Sequence, residues 1–390
     1  MAVFGEKRIC LIIILLLLLC LLWGRMLTFL KATKSTSIQE LINSAEPGST
    51  VVVPSGIYYE NNIEINKSII LRAEEPLRTI VDGAGEIFPI FKVLASNVKI
   101  EGFIVRNTDP TWESYGIILK GVSNVTIRGN NFTKCYYGVV IEESNNCKII
   151  DNAVVSNYAS GLVFRSGASY NLIARNFIYN NSIGVFIYDS NCRSNIFFHN
   201  NFIYNKIQVS GSYPYNKFDN GFEGNYWSDY QGADLDKDGL GDNSYMDIDN
   251  FPLMGFFYIY RTENGECFEI ISNSTITAFN YSILGRELRI NLKGKRGTLG
   301  FCRICIPLVL ISPPYTVKIN GSEMFVRYIN TSIYSNGTHQ WIYFNYIHSE
   351  WHEVVIIPEY SICYPIFLSM LLTCLFVKKR ENHRSFFTLR

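Results

Sequence analysis

The densest group of metal-ligating side chains is Asp234-Leu235-Asp236-Lys237-Asp238-Gly239-Leu240-Gly241-Asp242. Carboxylates at positions 1, 3 and 5, Gly at 6 and Asp at 9 match the first part of an EF-hand-type loop, with the Leu240 carbonyl at position 7. The expected cofactor is therefore Ca²⁺, in a structural role, held by Asp234, Asp236, Asp238, Leu240 and Asp242. Position 12 is Tyr245 rather than a bidentate Glu, so Asp229, Asp247 or Asp249 would have to complete the sphere. The alternative is a solvated acidic turn.

Other constellations carry less. Glu143 and Asp189 occupy one column of a repeat, two units apart. That places their backbones about 10 Å apart at the interstrand spacing, close to the separation of the two carboxyls in inverting glycosidases. Two acids in one exposed column also arise by composition alone, so the pair is only a candidate catalytic site. Trp112, Tyr115, Phe186 and Tyr188 are candidate sugar-stacking aromatics. Cys302-Arg303-Ile304-Cys305 is a lone CxxC in an apolar strand-like stretch, read as core packing rather than zinc. Met246, Met254 and Met324 and the four histidines of residues 34–358 (His199, His339, His348 and His352) are scattered, and copper sites favour Met, His or Cys clusters.

The elements that position these residues follow from a repeat. Of 36 asparagines, 21 fall between Asn97 and Asn225. Gly116, Gly138, Gly161 and Gly184 each open a four-residue apolar run, at spacings of 22, 23 and 23. Ile127, Ile149, Ile173 and Phe197 are each followed three residues on by Asn130, Asn152, Asn176 or Asn200, and two further by Phe132, Val154, Ile178 or Phe202. Five after that Asn column stand Cys135, Asn157, Asn181 and Asn205. Three short strands per unit, without helical periodicity, call for a parallel β-helix whose coils stack at roughly 4.8 Å. Asn at the corners tolerates left-handed backbone and can bond to the Asn above and below.

Within the run after each Gly, Lys120, Glu142, Arg165 and Tyr188 must face solvent, the first three as a ladder of alternating charge. Alternation puts Ile117, Val139, Leu162 and Val185 inside. It turns Ile118, Val140, Val163 and Phe186 outward, an apolar stripe that requires a cover; the C-terminal region is the expected one. The long insertion Thr108–Tyr115 is the expected place for specificity.

The opening segment, Ser37-Ile-Gln-Glu-Leu-Ile-Asn-Ser-Ala-Glu-Pro-Gly-Ser-Thr-Val-Val-Val, reads as a cap helix, a turn and a first strand. With Asn66-Lys-Ser-Ile-Ile-Leu-Arg after it and Asn225-Tyr-Trp-Ser-Asp-Tyr at the close, it resembles pectin-lyase-like right-handed β-helix proteins. Within them it is most similar to the NosD-like group of archaeal cell-surface proteins, over roughly residues 36–254. The resemblance implies the fold more firmly than an activity, because this scaffold hosts lyases, hydrolases, binding modules and stalks. The group's name also implies metal processing.

The remaining segments complete the expected architecture. It is all-β: a right-handed parallel β-helix followed by a small β-sandwich-like module, with a terminal transmembrane helix. Residues 1–33 are a signal peptide or signal anchor, 34–215 the β-helix, 216–255 the Asp-rich calcium-type closing segment and 256–358 the sandwich-like module. An apolar run at 360–377 is a membrane span, and the basic tail 378–390 stays inside. Residues 34–358 carry 26 Lys/Arg against 31 Asp/Glu, which argues against a nucleic-acid partner. Nine Asn-x-Ser/Thr sequons fit display outside the cell.

The expected function is thus a membrane-anchored extracellular protein that binds carbohydrate or cell-envelope polymer without catalysis. A polysaccharide lyase or glycoside hydrolase is the first alternative. A structural stalk or a NosD-like metal-processing accessory protein is the second.

Overall fold

Each repeat unit folds as one coil. Its three apolar runs become three short strands, and each strand pairs in parallel register with its counterpart one coil on. The computed structural model describes residues 37–111, 114–329 and 337–359. Three parallel sheets result. Sheet one has seven strands from Thr50–Val53 to Ile196–Phe198, sheet two eight from Gly56–Tyr59 to Tyr226–Trp227, and sheet three seven from Ile63–Ile65 to Ile207–Gly211. The inward positions expected on sheet three, including Ile117, Val139, Leu162 and Val185, are fully buried in one continuous core.

Two residue types make this stacking possible. Gly116, Gly138, Gly161 and Gly184 lie where a Cβ would stand 2.6–2.9 Å from the carbonyl oxygen of the next coil, so the column is fixed by close backbone approach rather than by dihedral angle. Asparagine supplies the corners. Asn130, Asn152, Asn176, Asn200 and Asn225 each accept through Oδ1 from the backbone N–H one coil earlier, at 2.9–3.1 Å, starting with that of Phe103. Their Nδ2 atoms donate to carbonyls, as Asn176 does to Ile149 O at 2.7 Å. Asn157, Asn181 and Asn205 repeat the pattern at the second corner. Asn171, Asn195 and Asn216 form a third ladder that the column analysis did not contain. Buried turn groups are thereby paired, as their desolvation requires.

The first coil is capped by α1 (Ile38–Ser44), which begins with a capping box between Ser37 and Glu40. The Gln39 side chain pairs with both the N–H and the C=O of Glu64, standing in for a strand at the edge of sheet three. After the closing segment come two five-stranded antiparallel sheets. They pack face to face over Phe268, Ile304 and Phe344 on one side and Leu288, Ile290, Val317 and Val354 on the other. The first of these sheets turns Phe301, Cys305 and Trp341 toward Leu253 and Tyr226 of the solenoid's end. Cys302 and Cys305 are buried on its two faces, in separate cores. No helix among the described residues is long and apolar enough to cross a membrane, and the segments 1–33 and 360–377 lie outside those residues.

Candidate functional site

The outward face of sheet three collects charge and aromatic surface. Glu142, 8% exposed, is held by Lys120 Nζ at 2.9 Å and by Arg165 Nη2 at 2.5 Å. Burial alone would raise its carboxyl, but Lys120 and Arg165 outweigh it and hold the pKa below the ordinary 4.5. The expected charge ladder is therefore present, with its central member tucked in. Arg165 also lies over the Tyr115 ring, 5.4 Å from the centroid, and donates to its hydroxyl at 3.2 Å.

The apolar stripe is covered differently from expectation. Ile118, Val140 and Val163 are buried by rings of their own stack, with Tyr115 and Tyr137 parallel at 5.9 Å and Tyr136, Ala159 and Phe186 beside them. No described residue of 256–358 belongs to that cluster. Tyr115, expected as an exposed binding aromatic, is only 3% exposed for this reason. Phe186 is half-buried and in edge contact with the exposed Tyr188, at 5.0 Å. Trp112 lies outside the described residues. A cleft of about 400 Å³ opens along this face. Among the described residues Lys92, Lys120 and Arg165 are its charged lining, above Ile118, Phe88 and Tyr115, and no carboxylate is part of it.

Glu143 and Asp189 form no working pair. Asp189 accepts from the backbone N–H of Ser166 at 2.9 Å and of Asn191 at 3.0 Å, so its carboxylate closes turns. Glu143 is exposed, at a left-handed backbone position.

The Asp-rich loop is half-buried at Asp234 and exposed at Asp236 and Asp242. Carboxylate oxygens of Asp234, Asp236 and Asp242 lie within 4.8 Å of one another. Asp234 accepts from the N–H groups of Asp238 and Gly239 at 2.9 and 3.0 Å, which curls the loop. Burial, with Asp238 and Asp236 nearby, raises its carboxyl pKa. Asp238, expected as a ligand, points elsewhere: it bonds to the Leu240 N–H at 2.8 Å and faces Arg303 Nη1 at 3.4 Å. Gly239, at φ 88°, would press a Cβ to within 3.3 Å of the Arg303 side chain. None of the expected completing acids joins the group. Asp229 holds Tyr245 and Gln208, Asp247 faces Ser244, and Asp249 terminates the first Asn ladder.

Around this loop lies a buried junction that no spacing announced. Arg303, fully buried, pairs with Glu223, and donates through Nη1 to the Asp238 carbonyl at 2.8 Å. Glu223 also meets His199 Nε2 at 2.7 Å, and His199 stacks on Phe257 at 4.1 Å. Arg327 donates to the carbonyls of Asp236 and Lys237. Arg261 reaches Asp151 at 3.2 Å, beside Arg128 and Arg175. Three arginines of the sandwich thus grip the solenoid and its closing loop.

The repeat columns can now be compared with known proteins. A family model described as periplasmic copper-binding protein (NosD) matches residues 42–232. Residues 42–232 belong to the NosD family. Curated NosD relatives include the probable ABC transporter binding protein NosD of Pseudomonas aeruginosa, 28% identical over 147 residues, covering 37% of this chain and 32% of that protein. The protein of the same description from Stutzerimonas stutzeri is 27% identical over 156 residues, covering 40% and 34%. The chain thus spans about a third of the length of the curated relatives it matches. Solved structures similar to it include pectin methylesterase from Yersinia enterocolitica, with 12% identity, TM-score 0.32 and coverage of 60% of this chain and 85% of that one. Another is alginate lyase from Paenibacillus sp., with 14% identity, TM-score 0.30 and coverage of 48% and 61%. At such scores neither likeness bears on activity.

Copper, the metal in the NosD family's description, does not fit the donors present. His199, His348 and His352 are buried in separate hydrogen-bond networks. Burial pushes the thiols of Cys135 and Cys302 up to about 12, which keeps them protonated and poor ligands. Among the described residues, the Asp234–Asp236–Asp242 group alone brings three such side chains together, and it offers only carboxylate oxygen. Hard cations such as Ca²⁺ suit that donor set, whereas soft or imidazole-seeking copper does not.

Proposed function

We propose that this protein works outside the cytoplasm as a non-catalytic binder of a carboxylated or sulfated polysaccharide of the cell envelope, tethered to the membrane by residues 360–377. The observation that carries this reading is the sheet-three cleft. Among the described residues its charged lining is Lys92, Lys120 and Arg165, with the paired acids Glu64 and Glu142 outside the lining, in a chain whose segment 34–358 bears five more acidic than basic residues. Ile87 and Phe88, both exposed, give it an apolar wall against which sugar C–H faces can pack, with Phe186 and Tyr188 extending the surface. Glu142, which pairs with Lys120 and Arg165 behind the lining, has its pKa held down by those two cations. A glycosidase acid needs the opposite, a raised pKa and a second free carboxyl. The NosD family's description as periplasmic supports the location.

Ca²⁺ in the Asp234–Asp236–Asp242 group would stiffen the loop whose carbonyls Arg303 and Arg327 hold, so its role is structural. The test is titration of the full-length chain with oligogalacturonate, heparin fragments and neutral hexasaccharides, following binding and product release together. Saturable binding of the anionic probes without product is expected. It should weaken at least tenfold in Lys120→Ala and fall with added salt. Released product, or binding indifferent to Lys120→Ala, would overturn the proposal.

A further inference from the structure

At the far end of the solenoid a second cleft, of about 640 Å³, lies between the loop after the last sheet-three strand and the turn before Asp249. Its size falls within the roughly 300–1,000 Å³ of small-molecule sites. Tyr213 and Ile248 give it apolar surface, and Met246 stands at its rim, 49% exposed. Met246 and Asp247 both adopt left-handed backbone, with φ 50° and 57°. Left-handed backbone is unfavourable for a residue carrying a Cβ, so a turn that glycine would make without strain instead presents a thioether and a carboxylate to the cleft.

The polar lining mixes signs. Lys217 and Asp247 are opposed in charge, and Asn220 and Asn250 add amides. Asp219, largely buried, spends its carboxylate on Gly221 N at 2.9 Å and on Asn250 N and Nδ2 at 3.1 and 2.9 Å, which fixes Asn250 in place. A pyranose ring has an apolar C–H face and a rim of hydroxyls that each donate and accept. Apolar surface bordered by amides, one ammonium and two carboxylates, that of Asp219 already engaged, satisfies both parts, and the cleft has no cationic surplus to favour a polyanion. We infer that this cleft is a second saccharide site, selective for a neutral oligosaccharide. It stands independently of the sheet-three cleft.

The full-length chain would be titrated with cellohexaose, mannohexaose and N-acetylchitohexaose by calorimetry and saturation-transfer NMR. At least one should bind. Met246→Gly removes the rim side chain while suiting the left-handed backbone, so its melting temperature should hold or rise while affinity falls about fivefold or more. Lys217→Ala should weaken binding similarly, and Lys120→Ala, in the other cleft, should leave it unchanged. If none of the three hexasaccharides binds, if Met246→Gly and Lys217→Ala bind as the parent does, or if Lys120→Ala abolishes binding, the inference fails. Loss of oligogalacturonate binding in Lys120→Ala would speak to the first proposal alone.

Discussion

Replacing Glu223 by Ala tests the junction most directly. The Arg303 guanidinium is fully buried and has Glu223, the Asp238 carbonyl at 2.8 Å and the Asp238 carboxylate at 3.4 Å as its acceptors. The Trp341 ring lies 4.8 Å from it, and Arg303 Nε has no acceptor among the described residues. Without Glu223 the cation stays buried with one good hydrogen bond, and His199 loses its carboxylate as well. Charge-assisted hydrogen bonds contribute about 1.5–3 kcal/mol each, and breaking a buried ion pair from one side costs about 3–5 kcal/mol. Taken together, a loss of about 4 kcal/mol is expected.

Urea unfolding followed by tryptophan fluorescence suits the measurement, because Trp227 and Trp341 are both buried, one on each side of the junction. Arg303→Met should cost about as much, but the double variant Glu223→Leu/Arg303→Met should recover most of the loss, since an apolar pair leaves no charge stranded. A Glu223→Ala cost below about 1 kcal/mol, or a double variant as damaged as the sum of the singles, would refute the reasoning. The pair also sets a pH dependence. Burial pushes the Glu223 carboxyl up, yet Arg303 and His199 outweigh it and hold the pKa below the ordinary 4.5. Its contribution is therefore present above about pH 4.5 and is lost as pH falls through the lowered value.

Further outcomes are expected elsewhere. Asn176→Ala strands the Asn152 N–H and the Ile149 carbonyl inside the stack, and thermal or urea unfolding should show a loss of about 2–4 kcal/mol. Gly138→Ala forces a Cβ to 2.7 Å from the Gly161 carbonyl, so it should cost about 1–3 kcal/mol by overpacking, readable as a lower urea midpoint. Asp249 carries the opposite linkage to Glu223: burial raises its pKa to about 7. Stability from this group is full below the ordinary 3.8 and declines as pH rises through 7, and Asp249→Asn should flatten that slope. Adding Ca²⁺ at about 100 times its dissociation constant should stabilise the chain by about 2.7 kcal/mol, an effect that EDTA or Asp234→Asn removes.

The solenoid was legible because its constraints repeat. One residue type recurring at one offset, as in the Gly116 and Asn130 columns, reports a position that every coil shares, and the inward and outward assignments of sheet three followed from alternation alone. The third ladder escaped because its column starts with Val122 and Cys147, whose N–H groups donate to Ser144 Oγ and Asn171 Oδ1 but which are not asparagine themselves. Tyr115 shows a different limit: alternation fixes which way a side chain points, but its exposure depends on what neighbouring rings cover. Asp238 matched a ligand spacing, yet a guanidinium from a strand 65 residues away claimed it. The Arg303–Glu223–His199 cluster had no signal at all, because its members come from three segments that meet only once.

The first asparagine ladder has a direction. Every amide from Asn130 to Asn225 offers its oxygen toward the beginning of the chain and one N–H toward the end, the other N–H going to a carbonyl of the coil before, so the C=O dipoles add like magnets laid in a row. The row terminates on Asp249, a carboxylate that accepts from Asn225 N at 2.8 Å and from Trp227 Nε1 at 2.8 Å. An asparagine could accept there as well, but an acid, once pH rises through its raised pKa of about 7, also sets a negative charge against the positive pole. The same terminus would serve a row of any length. Coils could be inserted or deleted between the two ends without redesigning either, provided each newcomer carries its asparagine in phase, and the reach of the rod becomes a quantity adjustable one coil at a time.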